Sequence, residues 1–237
     1  MKCRHLPVSA LLLVSCSSAF ASDYYLRAGL ATNQSDTFTV TFSDVTGTAK
    51  IPGTAFEDAT QFSLAVGRPM GDWRLELELF HQFAAAIERN GEVQVAAGGG
   101  GAFPVELYGE VSATGLMANG YLNFATQADS RFQPYLSLGL GVASLDSSQV
   151  SMSGGGDVVG MQSDDVADLA WRAGIGVSWL LQSGAVVDLG VSRYDYGTAE
   201  SGKSGFSTGT GTPLTLTEPF AFDVSGLSWG LSIRRPL

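Results

Sequence analysis

The segment "WRLELELFHQF" constrains the fold more than any other part of the chain. Trp73, Leu75, Leu77 and Leu79 occupy one parity, and Arg74, Glu76 and Glu78 the other. A period of two places these sets on opposite faces of a strand, one apolar and the other charged. "PYLSLGLGVASL" repeats the pattern with Leu136, Leu138, Leu140 and Val142 against Ser137, Gly139 and Gly141. "AWRAGIGVSWLL" sets Trp171, Ala173, Ile175, Val177 and Trp179 against Arg172, Gly174, Gly176 and Ser178. "SGLSWGLSIRR" sets Leu227, Trp229, Leu231 and Ile233 against Ser228, Gly230, Ser232 and Arg234. Weaker runs begin at Tyr24, Thr60, Thr114 and Ala185. Each run has roughly the ten residues that a tilted strand needs to cross a bilayer, and eight runs make the even number expected of a bacterial barrel.

The connections alternate in length. Short ones fall at 69–72, 125–131 and 182–184, and long ones at 33–59, 84–113, 146–168 and 197–219. Short turns at one end and long loops at the other are the arrangement of a membrane barrel, with both termini on the periplasmic side. The long segments are rich in Gly, Ser, Thr and Asp, and on composition they read as mobile external loops.

Composition also decides which face meets lipid. The apolar parity carries Leu, Val, Ile and Trp, whereas the other carries Gly, Ser and a few charges. Soluble surfaces are rich in Lys and Glu, yet Lys50 and Lys203 both fall in the long connections. The small and charged set suits the narrow interior of an eight-stranded barrel. Parity therefore directs Arg27, Arg74, Arg172 and Arg234 into the lumen together with Glu76, Glu78 and Asp188, and Asn119, Tyr121 and Asn123 beside them. Buried charges must be paired, so an ionic ladder anchored on Glu76 and Glu78 is expected. It would serve either as a self-satisfying polar core or as a gate on a narrow water path. Aromatic girdles are expected from Tyr24, Trp73, Phe124, Phe132 and Trp179 at one interface and Phe83, Trp171 and Phe222 at the other.

Residues 1–21 read as a cleaved signal peptide: Lys2, Arg4 and His5 precede a short apolar core, and "AFA" ends it. "LVSC" leaves lipidation at Cys16 as an alternative exit. Residues 22–237 are expected to form a single domain. Cys3 and Cys16 both lie in the leader, so the mature chain has no disulfide and no thiolate metal site. Without Lys2 and Arg4, eleven basic residues face 23 acidic ones, a formal charge of −12 that disfavours nucleic acid.

The segments "YYLRAGLA", "ANGYLNF", "PYLSLGLGVA", "AWRAGIGVSW" and "GLSWGLSIRR" together resemble the small outer-membrane β-barrels that include opacity proteins and the transmembrane domain of OmpA. That resemblance implies an all-β, eight-stranded antiparallel up-and-down transmembrane barrel. It implies an outer-membrane location among lipid and lipopolysaccharide, and delivery by periplasmic chaperones and the barrel-assembly machinery. Such chains usually end on an aromatic residue, where this one ends "IRRPL".

The expected function is a non-enzymatic one, structural or adhesion-like, with a host or cell-surface ligand met through four external loops. The alternative is a narrow porin-like conduit gated by the lumenal Glu/Arg network. No cofactor, metal site or catalytic set is expected: His81 is the single histidine beyond the leader and has no neighbouring nucleophile in "FHQF". Asp164, Asp165 and Asp168 read as a solvated acidic loop before they read as a cation site.

Overall fold

Alternation over ten-residue runs builds strands, and the computed structural model contains no other regular element in the residues it describes, 23–44, 47–95, 102–124, 131–154 and 157–237. In chain order they are β1 (Tyr25–Ser35), β2 (Phe38–Asp44), β3 (Gly47–Thr54), β4 (Ala59–Met70), β5 (Trp73–Val95), β6 (Ala102–Asn123) and β7 (Phe132–Gly154). There follow β8 (Asp157–Met161), β9 (Asp164–Leu180), β10 (Val186–Glu200), β11 (Ser204–Ser207), β12 (Thr212–Thr215) and β13 (Glu218–Pro236). Residues 1–22, which include the segment expected to be a leader and Cys16, most of the 125–131 connection and the glycine run 98–101 lie outside the described residues.

Eight of these strands pair antiparallel in the order β1, β4, β5, β6, β7, β9, β10, β13. β13 then returns to β1, from Tyr25 against Pro236 to Ser35 against Gly226. The ring of pairing leaves no free edge among the eight, which removes the hazard of open strand edges. Short turns close one end. Met70 pairs with Trp73 around Gly71, whose φ of +66° is a left-handed conformation that glycine adopts without strain. Gly184, at φ +80°, turns the chain between β9 and β10 in the same way.

The outer face near this end is an apolar belt. Leu30, Leu79, Leu138, Leu140, Ile175, Leu189 and Leu231 are all more than half exposed. Contiguous exposure on that scale suits a membrane interface and not water. Tyr24, Trp73, Phe124, Phe132 and Trp179 border the belt at the short-turn end, and Phe132 stacks on Trp179 at 5.5 Å. Phe83 and Trp171 lie outward at its upper border.

Above the belt the two faces exchange character. On β10 the outward series Val187, Leu189, Val191 continues as Arg193 and Asp195, while the inward series Asp188, Gly190, Ser192 continues as Tyr194 and Tyr196. β13 does the same: outward Ile233, Leu231, Trp229 and Leu227 give way to Ser225 and Asp223, and inward Ser232, Gly230 and Ser228 to Val224, Phe222 and Phe220. In lipid the outside must be apolar; in water the inside must be. The strands obey both conditions along one length.

The expected mobile loops are therefore strands in large part. β5, β6 and β7 are 23, 22 and 23 residues long, about twice what a tilted crossing requires. β2, β3, β8, β11 and β12 fill the other long connections and join the same sheet. They enclose an apolar core in which Phe42 stacks on Phe220 at 4.3 Å, Phe38 packs on Phe56 at 5.1 Å, and Ile51, Ile87, Leu107 and Leu145 are fully buried. Gly- and Ser-rich composition misled the reading because it averages over residues. Burial needs only a few large side chains per strand, supplied here by many strands at once. Phe222, expected in the upper girdle, is likewise fully buried in this core.

Bulges hid the pattern further. The β5–β6 register slips between Gln82 and Ala85, and the β10–β13 register between Asp195 and Thr198 around Gly197 at φ +96°. Each slip moves the inward positions from one parity to the other.

Candidate functional site

β5 supplies the centre of the lumen. Its inward residues Arg74, Glu76 and Glu78 are buried within the crossing section, and β1, β9, β10 and β13 bring the partners. Arg172 of β9 reaches Glu78 Oε2 at 2.7 Å, and Arg27 of β1 reaches the same atom at 2.5 Å. Arg27 Nε lies 2.8 Å from Glu76 Oε2, whose other oxygen is 3.8 Å from Arg74 Nε. Arg74 continues to Asp188 at 3.2 Å, and Asp188 ends on Arg234 at 3.1 Å. All seven sequence-predicted residues thus stand in one alternating row: Arg172, Glu78, Arg27, Glu76, Arg74, Asp188, Arg234.

Neutral groups complete it. The Tyr25 hydroxyl donates to Glu76 at 2.7 Å, Asn119 donates to Glu78 at 2.8 Å, and Ser178 donates to Asp188. The Arg74 guanidinium lies over the Tyr121 ring at 4.0 Å and beside Tyr135 at 4.9 Å. Tyr25 and Tyr135 fit only because the facing positions lack side chains: a Cβ on Gly67 would come within 2.4 Å of Tyr25, and one on Gly176 within 2.4 Å of Tyr135. Asn123 is half-buried at the short-turn end, where it donates to the Asp72 carbonyl at 3.3 Å.

A second polar layer lies above the charges. Asn33 donates to Gln61 at 3.0 Å and to Gln82 at 2.6 Å, and the Tyr196 hydroxyl donates to Gln61 at 2.6 Å. Sequence reasoning passed over this cluster, although all three amides hold the inward parity of their strands. The ring of Tyr196 then stacks on Phe80 at 4.7 Å, and the apolar core follows. From the short turns upward the interior runs from charges to amides to hydrocarbon.

The other residues weighed in the sequence lie apart from these layers. His81 lies on the outer face, 2.8 Å from Thr114 Oγ1 and edge-on to Phe83. Asp164 and Asp165 are exposed, while Asp168 accepts from the Thr198 amide at 3.1 Å, and the three do not converge on a common point.

Charge is segregated along the barrel. Within the crossing section four arginines meet three carboxylates, an excess of one positive charge. At and above the upper edge of the belt the described segments carry seventeen Asp and Glu against four Lys and Arg. The chain's negative charge therefore sits almost entirely at the end that carries the apolar-cored extension.

This architecture has known counterparts. It is similar to the outer-membrane protease OmpT of Escherichia coli, with a TM-score of 0.57 at 9% identity over 94% of this chain and 99% of that one. The chain has the fold of the outer-membrane β-barrels. Neisserial surface protein A aligns at a TM-score of 0.44 and 15% identity over 92% and 99% of the two chains. OprG of Pseudomonas aeruginosa aligns at 0.45 and 18% over 89% and 96%. The chain matches no known protein-family model, and no curated protein matches it. In a barrel of this kind the ladder replaces a hydrophobic core within the crossing section. Its charges are mutually neutralised apart from the single excess, and Tyr25, Asn119 and Ser178 add hydrogen bonds to its carboxylates.

Proposed function

We propose that the chain is a non-enzymatic outer-membrane protein, exported through a cleaved leader, that carries a rigid acidic platform on the cell surface for a cationic partner. The observation that supports this reading is the exchange of faces above the belt. It makes the long connections an ordered extension with hydrocarbon inside and acidic residues outside. Ordered surfaces lose less conformational entropy on binding than flexible loops. An excess of one sign of charge steers partners of the other and repels like-charged ones. On this reading host or cell-surface ligands meet strands and strand ends, with lipopolysaccharide around the belt.

The experiment is retention of the nanodisc-embedded protein on poly-lysine and heparin surfaces across a salt series. Retention on poly-lysine that falls as salt rises is expected, with none on heparin. Binding to heparin, or to neither surface at low salt, would discard the platform reading.

The alternative conduit reading draws on the charged lumen, but its water path would have to pass Phe80, Tyr196, Phe220 and Phe222, all fully buried. It is the weaker of the two.

A further inference from the structure

The lumenal row begins and ends on arginine. Every internal member has an opposite charge on both sides, whereas Arg172 and Arg234 each meet one carboxylate. The two ends differ in their surroundings. Arg234 stands two residues from the end of β13, beside the Tyr25 ring at 5.4 Å, at the mouth formed by the short turns. Arg172 lies further along the lumen, below the Asn33, Gln61 and Gln82 layer, and its side chain is about as exposed to the lumenal space as that of Arg234. Guanidinium stays protonated in proteins, so the surplus charge cannot be relieved by losing a proton. An uncompensated charge inside a barrel is strongly unfavourable.

Next to Arg172 the lumen opens into a cavity of about 70 Å³ whose lining includes Arg27, Arg172, Gln61, Ser63 and Ser192, and also the carboxylate of Asp188, which Arg74 and Arg234 already pair. The two arginines that line it are the pair that share Glu78 Oε2, so two guanidiniums divide one carboxylate oxygen here. The serine hydroxyls can turn to donate. A cavity needs roughly 10–15 Å³ to hold one water, so this one accommodates an ion of chloride's size with water around it.

We propose that this cavity binds a small monovalent anion of the chloride class, held between Arg27 and Arg172 and by the surrounding serine hydroxyls. One negative charge balances the surplus, and a second would overshoot it. The ion closes the charge row at its Arg172 end and belongs to the folded barrel itself. The inference does not rest on the platform reading.

The test uses the full mature barrel refolded in bromide, crystallised, and measured for anomalous scattering. A bromide peak between Arg27 and Arg172 is expected. In parallel, the melting temperature is compared in sodium chloride and sodium gluconate at equal ionic strength, and a higher value in chloride is expected. Arg172→Gln leaves three arginines against three carboxylates, and Ser63→Asp leaves four against four. Each should remain folded by its heat-dependent migration and should lose the chloride dependence. If Arg172→Gln does not fold, Ser63→Asp still carries the test. Water alone in the cavity, a peak elsewhere only, or an unchanged chloride dependence in the folded variants would overturn the proposal.

Discussion

Arg172 on β9 meets Glu78 on β5 across the lumen, with Arg172 Nη2 and Glu78 Oε2 2.7 Å apart. β6 and β7 separate the two strands in the ring of pairing, so this contact spans the barrel instead of following the sheet.

Removing Glu78 strands two cations. Glu78→Ala leaves Arg27 without one of its two carboxylates and Arg172 without its carboxylate partner. Breaking one side of a buried pair costs about 3–5 kcal/mol. Urea titration of the barrel refolded in lipid bicelles should show that loss. Combining Glu78→Ala with Arg172→Ala should recover part of it, because one of the stranded charges goes with its partner.

The same substitution should not open a conducting path. The Phe80 and Tyr196 rings stack 4.7 Å apart above the amide layer, and the apolar core lies beyond them. Planar-bilayer recordings of Glu78→Ala are expected to stay at the baseline of the unsubstituted protein. Steady ohmic conductance in this variant would show that the charge row, and not the hydrocarbon above it, is the barrier.

The extension should behave as folded protein. Lys50 sits in β3, paired on one side with Thr41 of β2 and on the other with Gln94 of β5. Trypsin is expected to spare the bond after Lys50. Phe222→Asp places a charge in the upper core where Phe222 is fully buried, at a cost of several kcal/mol. Cleavage after Lys50 should then appear while the heat-dependent migration of the belt section persists. Rapid cleavage of the unsubstituted protein would return the long connections to mobile loops.

Asp157 should titrate low. The Ser207 hydroxyl donates to it at 2.5 Å and the Gly209 amide at 2.5 Å, in the turn between β11 and β12, and these bonds hold its carboxyl below the usual aspartate range. Because the folded value is depressed, the contribution of these bonds is present above the unfolded aspartate value and fades as pH falls through the folded one. The Gly209 amide proton shift should follow that titration, with its midpoint below that of a free aspartate. A midpoint at or above the free value would show that the turn is not held by the carboxylate.

Period-two alternation by itself determined the eight crossing strands, the lipid-facing parity and the seven members of the charge row. Arg74, Glu76 and Glu78 are assigned to the lumen by position alone, since one residue of slip would put them into lipid. Tertiary structure decided the rest. The reach from Arg172 to Glu78 depends on barrel closure, and the order of the row depends on which strands face each other. The extension depends on it most. Phe38, Ile51, Phe220 and Phe222 come from distant segments that each look too polar to fold. The bulges near Ala85 and Gly197 break the alternation on β5 and β10, which hides their inward residues above the belt as well. Crossing strands are legible one at a time because lipid supplies the environment for each. A core in water exists only when its strands are already together.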